Sequence, residues 1–242
     1  MDPADVETVL VAGATGDTGR ALLRLLAPRV TVRALTRSAD DEDRLRALGA
    51  DEVVVDDLLD PTDLSGALAG ADAALSAVGS TTTDVLGDGP FVDGAGTAAL
   101  VEAAVDAGVE AVVMESALGV GDDPASPLAS AFDLAIGPIQ RAKAEGERAL
   151  REAPVRHTIL RPGVLTGGPR TDDVTVAEPG AKLWGAVSRA DVARLLAAAP
   201  VTDAAADATL EVVATPSFHD RALAVDWTLP GPDRPVSVEV LG

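Results

Sequence analysis

A short apolar run followed by three evenly spaced glycines constrains the fold of this chain more than any other feature. The run VLVA at 9–12 leads into Gly13, Gly16 and Gly19, and the amphipathic stretch 21–26 follows. We interpret the pattern as a buried strand, a tight turn and the start of a helix, an arrangement that binds a dinucleotide pyrophosphate. The spacing is GxxGxxG rather than GxGxxG, so a purely structural turn is the alternative, although the flanking strand and helix favour the nucleotide site. The residues expected to contact the cofactor here are Gly13, Thr15, Gly16, Asp17, Thr18 and Gly19.

Apolar runs alternate with amphipathic stretches over most of the chain. The runs are rich in valine and alanine with little polar alternation, which is typical of a parallel sheet covered on both faces. The pattern predicts an α/β fold with a doubly wound parallel (Rossmann) sheet, whose ligand binds at the carboxyl ends of the strands. The predicted strands are Thr8–Ala12, Thr31–Leu35, Glu52–Val55, Ala73–Ala77, Ala111–Met114 and His157–Leu160. The predicted helices span residues 17–27, 41–48, 61–69, 93–107 and 138–152.

The length of 242 residues suits one domain with a small C-terminal substrate lobe. We expect residues 1–242 to form a single nucleotide-binding domain, with 163–187 and 200–242 contributing the lobe and the tail. A helix over 188–199 and a strand over 209–213 are placed in that lobe, at the sheet edge. A weak alternation at Val236, Val238 and Val240 predicts a hairpin in the tail. Long loops rich in small and polar residues, the expected functional loops, span 79–92, 116–136 and 163–183.

The chain is strongly acidic and contains no cysteine. Acids number 39 and bases 19, for a net charge of −20, and the acids are spread along the whole chain. This favours a solvated acidic coat for a salt-rich cytoplasm, as in halophiles, over a surface for one basic partner. We expect stability and cofactor affinity to fall at low salt, where the charge is unscreened.

Composition also disfavours several classes of partner. Nucleic acid is an unfavourable partner because the chain has no basic patch. Without cysteine, and with His157 and His219 lacking metal-ligand spacing, no metal site is expected. No apolar run approaches the roughly 20 residues needed for a membrane span, and the acidic start does not resemble a signal peptide. We therefore expect a cytoplasmic protein acting on a small molecule.

The end of the second strand indicates which dinucleotide binds. NAD-binding chains place an acid about 20 residues after the glycines, to accept hydrogen bonds from the ribose. Here Thr36 and Arg37 stand at that place. A guanidinium binds a 2′-phosphate with two hydrogen bonds, so we predict NADP rather than NAD as the preferred cofactor. The alternative is an ordinary surface arginine, and Asp40 and Asp41 nearby would weaken a phosphate site.

The ends of the third and fourth strands carry the remaining nucleotide candidates. Asp57 is expected to accept from the adenine amino group while Leu58 packs on the ring; a helix-capping acidic pair is the alternative. Small residues close the fourth strand and would let the backbone run beneath a ribose, although they also suit plain packing. These residues are Ala77, Val78 and Gly79.

Four stretches carry a family resemblance: VAGATGDTGR, FVDGAGTAALVEAAVDAGVEAVV, ESALGVGDD and RAKAEGERALREAPVRHTILRPGVLTGGP. Over roughly residues 7–213 the chain resembles the atypical short-chain dehydrogenase/reductases of the NmrA-like and biliverdin/flavin-reductase-like groups. The resemblance places Lys143 at the lysine of the Tyr-x-x-x-Lys motif, which holds the nicotinamide ribose, and Ser116 at a serine that binds substrate or nicotinamide. It places Pro162 and Val164 beside the nicotinamide.

The chain departs from this family at two places. Ile139 stands where the tyrosine would be, and the chain has no tyrosine at all. Glu115 replaces a second serine that commonly precedes Ser116. The structural alternatives are a Lys143–Glu147 pair on a helix surface, a loop hydrogen bond for Ser116 and a strand-ending turn at 162–164. Lysine fills only two of the 19 basic positions, which favours a specific role for Lys143.

Two functions fit these observations. The first is an NADP-dependent oxidoreductase that passes hydride to a quinone, flavin or carbonyl acceptor, with Lys143 and Ser116 as its catalytic residues. Loss of a general acid typically costs a factor of about 10²–10⁴ in rate, and quinones and flavins need that help least because they stabilise the incoming charge. The second is a non-catalytic NAD(P)-binding redox sensor or assembly protein, which the missing tyrosine and Glu115 favour.

Overall fold

The computed structural model describes residues 1–80, 90–121, 127–215 and 220–231, and for 127–136 the backbone alone. The strands are β1 (Thr8–Ala12), β2 (Thr31–Thr36), β3 (Glu52–Val55), β4 (Ala73–Ser76), β5 (Ala111–Glu115), β6 (Arg156–Pro162), β7 (Val164–Thr166), β8 (Thr175–Ala177), β9 (Ala186–Ser188) and β10 (Ala208–Val213). The α-helices are α1 (Asp17–Leu26), α2 (Glu42–Ala47), α3 (Leu64–Leu68), α4 (Thr97–Asp106), α5 (Pro127–Glu152) and α6 (Arg189–Ala198). A π-helical turn, Val92–Gly96, precedes α4.

Eight of these strands form one sheet in the order β3-β2-β1-β4-β5-β6-β10-β8. All neighbours are parallel except β8, which runs antiparallel to β10 at the edge. The short strands β7 and β9 pair separately. The predicted doubly wound sheet is therefore confirmed, and the reversal of strand order between β1 and β4 creates the crevice where such sheets bind ligands.

Both faces of the central strands are buried, as the uninterrupted apolar runs predict, whereas the edge strand β3 is partly exposed. Val9 and Val11 pack on one face with residues of α1 and α6, such as Leu22 and Leu195. Leu10 and its neighbours pack on the other face against α3, α4 and α5. Successive strand residues point to opposite faces, so a strand that is covered twice has no polar position in its centre.

Two expectations about the second half of the chain are wrong. The helix predicted to start at 138 begins at Pro127 and carries Pro138 inside it, so much of the predicted 116–136 loop is helical. Proline usually breaks a helix at a cost of about 3 kcal/mol, but α5 packs against α4 and the π-helical turn, and tertiary packing of this kind offsets that cost. The strand over 209–213, placed in a lobe, is β10 of the main sheet, paired in parallel with β6.

Helix α6, also expected in the lobe, packs against α1 over the main sheet. The paired strands β7 and β9 lie outside the main sheet. The sequence pattern could not distinguish a seventh sheet strand from a lobe strand, because both are short apolar runs. The tail hairpin and the centre of the 79–92 loop fall outside the described residues.

Candidate functional site

The glycine turn brings three chain segments into close contact. Gly13 has a φ of +74°, and a Cβ at this position would lie 2.5 Å from the carbonyl oxygen of Ala77. Gly19, inside α1, would place a Cβ 2.2 Å from the carbonyl oxygen of Gly13. Side chains at these positions would force the turn away from β4 and α1 away from the turn. The three segments therefore enclose a shallow backbone cradle at the carboxyl edge of the sheet.

The N-terminus of α1 faces this cradle without a side-chain cap. Gly16 is the N-cap residue and provides no side-chain hydrogen bond, while its own amide donates to Gly13 at 3.0 Å. The first amides of a helix have no partner within the helix and carry a partial positive charge. Arg20 fixes the turn by donating to the carbonyl of Thr15 at 2.7 Å and by pairing with Asp17. This arrangement fits a diphosphate group.

A cavity of about 590 Å³ extends from the cradle along the sheet edge. Eight predicted cofactor residues line it: Gly13, Thr15, Gly16, Arg37, Leu58, Ala77, Val78 and Gly79. Eight lining residues were not predicted: Leu35, Thr36, Asp56, Leu59, Ser80, Pro90, Phe91 and Val92. Predicted residues that do not line it are Asp17, Thr18, Gly19, Asp57, Ser116, Lys143, Pro162 and Val164. The cavity thus gathers part of the set predicted for the diphosphate (Gly13, Thr15 and Gly16), together with Leu58 and Arg37.

Arg37 stands at one end of the cavity as an uncompensated cation. Its side chain is exposed and forms no hydrogen bond or ion pair with another described residue. Asp41, expected to weaken a phosphate site here, is engaged elsewhere: Thr36 donates to it at 3.0 Å and Arg44 at 2.6 Å. The guanidinium of Arg37 is therefore free to bind an anion.

The acid after β3 that lines the cavity is Asp56 rather than Asp57. The Asp56 carboxylate accepts backbone amides from Asp57, Thr62 and Asp63 at 2.8–2.9 Å. Burial opposes ionisation, but these hydrogen bonds outweigh it and lower the pKa of Asp56. Asp57 instead accepts the amide of Leu59 at 3.0 Å. Both acids order the loop after β3, and Leu58, only 6% exposed, presents an apolar wall to the cavity.

Lys143 is linked to the cavity lining through a buried acid that sequence reasoning missed. Its Nζ lies 2.7 Å from Oδ1 of Asp93, a fully buried residue in the π-helical turn. The other oxygen of Asp93 accepts the amide of Ser80 at 2.7 Å, and Ser80 and Gly79 line the cavity. The alternative of a surface pair with Glu147 is wrong. Ile139, at the position of the missing tyrosine, is buried in the helix packing.

Ser116 belongs to a buried charge network on the α5 side of the sheet. Its hydroxyl donates to Glu147 at 2.6 Å, and Glu147 is 1% exposed. Arg161 donates two hydrogen bonds to the same carboxylate at 2.8 and 2.6 Å, and Arg151 adds a third at 2.5 Å. The single hydroxyl proton of Ser116 is donated to this carboxylate and is therefore already engaged. Ser116 can therefore offer a ligand only its acceptor lone pairs.

The segment after β6 is held tightly by backbone contacts. Pro162 accepts the amide of Leu118 at 2.8 Å, and Val164 donates to Gly185 at 2.9 Å. A Cβ on Gly163 would lie 2.3 Å from the carbonyl oxygen of Gly185. The amide of Val164 is thus occupied, whereas its side chain is 51% exposed and available for an apolar contact.

Glu115 is buried at the end of β5, beside the cradle helix. It is 6% exposed and accepts a hydrogen bond of 3.3 Å from the Thr18 hydroxyl on the first turn of α1. Burial raises the pKa of Glu115, although Lys143, the Thr18 hydroxyl and Arg189 each act in the opposite direction. The sequence signal for this residue was its departure from the serine of the resembling family.

The described residues contain no group of three or more His, Asp or Glu side chains placed to hold a metal ion. No helix in the described part of the chain is long and apolar enough to cross a membrane.

The chain matches the model of a family described as NAD(P)H-binding over residues 13–202. It is 30% identical to the uncharacterized sugar epimerase YhfK of Bacillus subtilis (strain 168) over 192 residues, covering 78% of this chain and 86% of that protein. It is also 30% identical to sanguinarine reductase of Eschscholzia californica over 231 residues, covering 77% of this chain and 81% of that protein.

A solved structure from Bacillus halodurans, assigned to the NAD-dependent epimerases/dehydratases, superposes with a TM-score of 0.73 at 27% identity. That match covers 86% of this chain and 94% of the other. The residues matched by the family model include the glycine turn, the described residues that line the cavity, and α6. With its Rossmann sheet, its uncapped helix N-terminus and its cavity, the chain belongs to the NAD(P)H-binding family.

Proposed function

We propose that this chain is an NADP-dependent oxidoreductase that passes hydride to a quinone, flavin or carbonyl acceptor without a tyrosine acid. One observation carries the proposal: a single cavity connects the glycine cradle to Arg37, which has no ion pair with another described residue. An exposed arginine at the end of β2 matches the charge of a 2′-phosphate, which NADP has and NAD lacks.

The diphosphate, the adenine and the 2′-phosphate each have matching residues in the cavity. The uncapped amides of α1 suit the diphosphate, Leu58 offers an apolar wall for the adenine, and Arg37 suits the 2′-phosphate. When bound, NADPH supplies the hydride. The protein contributes position and electrostatics around it.

Lys143 and Ser116 define what the protein can add to the chemistry. Lys143 forms an ion pair with Asp93, and its ammonium group has three N–H donors, so donors remain for ribose hydroxyls. Ser116 can offer a ligand only its acceptor lone pairs, because its hydroxyl already donates a hydrogen bond to Glu147. It suits an N–H donor of a nicotinamide carboxamide or substrate, and it cannot protonate a substrate oxygen. Acceptors that delocalise the incoming charge are therefore favoured over simple ketones.

The test combines binding and turnover in molar KCl. Thermal shift and calorimetry with NADP⁺ and NAD⁺ measure cofactor choice, and absorbance at 340 nm follows NADPH oxidation with quinones, flavins and aldehydes. Arg37→Ala should weaken NADP⁺ binding by about 1.5–3 kcal/mol, the contribution of hydrogen bonds to a charged group, which is roughly 10- to 150-fold. NAD⁺ binding should not change.

Arg24→Ala is the matched control, because Arg24 is an exposed arginine of α1 that does not line the cavity. It should leave both affinities as in the wild type. Equal affinity for the two nucleotides in the wild type would exclude the role of Arg37. Tight NADPH binding without turnover on any acceptor would favour the second candidate, a non-catalytic redox sensor or assembly protein, which the absence of tyrosine supports.

A further inference from the structure

A buried carboxyl group is hydrogen-bonded to the first turn of the helix that faces the cradle, and the proposed reaction does not use it. Glu115 ends β5, and Thr18 occupies the first turn of the helix whose amides face the cavity. The 3.3 Å hydrogen bond between their side chains joins the sheet to that turn. A carboxylate here would stand beside a site that must accept two phosphate charges.

The charged groups around Glu115 are already compensated by closer partners. From α5, Lys143 is in electrostatic contact with Glu115, but its Nζ is paired with Asp93 at 2.7 Å. From α6, Arg189 also acts on Glu115, but its Nε lies 3.7 Å from Asp17 and it donates to the carbonyl of Leu165 at 3.3 Å. On α1, Thr18 supplies a neutral donor. Lys143 is thus paired with Asp93 and Arg189 with Asp17, which leaves Glu115 as the acid without an ion-pair partner in this cluster of described residues.

We propose that Glu115 is a positioning residue of the cofactor site that takes up a proton when the dinucleotide binds, and that its neutral form holds Thr18 and the first turn of α1 in place. This inference rests on the proposed function, because it requires a dinucleotide in the cradle.

The direction of the effect follows from two electrostatic changes. A bound nucleotide displaces water from the cradle and brings two negative phosphates close to the carboxyl group, and both changes disfavour the charged form. In the free protein burial is the largest influence and raises the pKa of Glu115, while Lys143, the Thr18 hydroxyl and Arg189 act against it and favour the ionised form. Glu115 should therefore bind more protons in the complex than in the free protein, and by linkage nucleotide affinity should fall as pH rises.

Isothermal titration calorimetry of the full chain measures this proton directly. NAD⁺ is titrated in molar KCl near pH 7 in PIPES and in imidazole, two buffers of different ionisation enthalpy, and the difference in observed heat gives the protons taken up. NAD⁺ is used because it lacks the 2′-phosphate, which itself titrates near pH 6. The wild type should take up a fraction of a proton, and E115Q should take up close to none.

Glu211→Gln is the matched control. Glu211 is also a buried carboxyl, 2% exposed, but it lies on β10 and does not line the cavity. This variant should take up the same number of protons as the wild type. If E115Q fails to fold, Glu115→Met replaces it, and the pH dependence of the wild-type dissociation constant gives the same proton number independently.

Binding of NAD⁺ to the wild type without proton uptake would overturn the inference and leave the proposed function intact. Equal uptake by the wild type and E115Q would also overturn it. No binding of either NAD⁺ or NADP⁺, in calorimetry and in thermal shift, would overturn the proposed function and this inference together.

Discussion

Alanine substitutions at Gly13 and Gly19 in the cradle, with Gly108 outside it as a reference, measure how closely the cradle is packed. Gly13 combines a φ of +74° with a Cβ position 2.5 Å from a backbone oxygen. Gly108 has the same φ of +74°, but a Cβ there meets nothing within 4 Å. Gly19 lies in a helix with ordinary φ and has only the clash, at 2.2 Å. Alanine at these three positions therefore separates the cost of the backbone conformation from the cost of the overlap.

The expected magnitudes follow from those contacts. The left-handed conformation costs a residue with a Cβ about 1–2 kcal/mol, which is the whole effect expected for Gly108→Ala. Overpacking typically costs about 1–3 kcal/mol, which is the effect expected for Gly19→Ala. Gly13→Ala should show the sum, about 2–5 kcal/mol, because the Ala77 backbone cannot move as a side chain can. In a domain of this size that lowers the melting temperature by roughly 4–20 °C.

Urea unfolding and NADP⁺ calorimetry on the three variants test this reasoning. Gly13→Ala and Gly19→Ala should weaken NADP⁺ binding at least tenfold, about 1.4 kcal/mol, since either widens the cradle. Gly108→Ala, at the end of α4, should bind as the wild type does. A free energy of unfolding for Gly13→Ala equal to that of Gly108→Ala, with unchanged NADP⁺ affinity, would refute the close approach of the turn to β4.

Three further predictions concern pH and salt. Burial opposes ionisation of Asp191, but hydrogen bonds from Asp172, Ser188 and Thr171 outweigh burial and lower the pKa of Asp191. The ionised carboxylate therefore stabilises the fold above the unfolded pKa of about 3.9, and this stabilisation is lost in acid. Asp191→Asn should therefore cost about 2 kcal/mol or more in urea unfolding at pH 7, and the gap to the wild type should close as the pH falls through the lowered pKa of Asp191. Burial raises the pKa of Glu211, so the folded state binds the Glu211 proton more tightly than the unfolded state does. The wild type should therefore lose stability as the pH rises above the unfolded value of about 4.3. The melting temperature of Glu211→Gln should lack this pH dependence. Because the chain carries a net charge of −20, its melting temperature and its NADP⁺ affinity should both fall on dilution from molar KCl to about 0.1 M, where the Debye length grows to about 10 Å. If neither quantity changed, the acidic-coat interpretation would be contradicted.

Strands β1–β4 and the glycine turn could be predicted from the sequence because the apolar pattern of the strands and the glycine spacing favour the same structure. Strands buried on both faces read as uninterrupted apolar runs, and the turn needs glycine at Gly13 and Gly19, where a Cβ would overlap the backbone. The bounds of β1 and β3 match the prediction, and those of β2 and β4 differ by one residue. The lining role of Gly16, Arg37 and Leu58 followed from their places at strand ends.

The second half was less predictable because tertiary packing decides it. Pro138 marks a helix start by local rules, yet contacts along α5 carry the helix through it. β10 looks like any short apolar strand, and only its pairing with β6 puts it in the sheet. Asp93 escaped notice because a lone acid at a predicted helix start is usually a cap, whereas here it is fully buried against Lys143. Long-range ion pairs of this kind leave no periodic signal in a sequence.

A crystal structure of the chain grown with NADP⁺ in molar KCl tests the central claim most directly. The diphosphate should lie over the turn formed by Gly13, Gly16 and Gly19, within hydrogen-bond distance of the first amides of α1, with the 2′-phosphate on Arg37. A nucleotide bound elsewhere on the molecule, or a diphosphate turned away from α1, would contradict it.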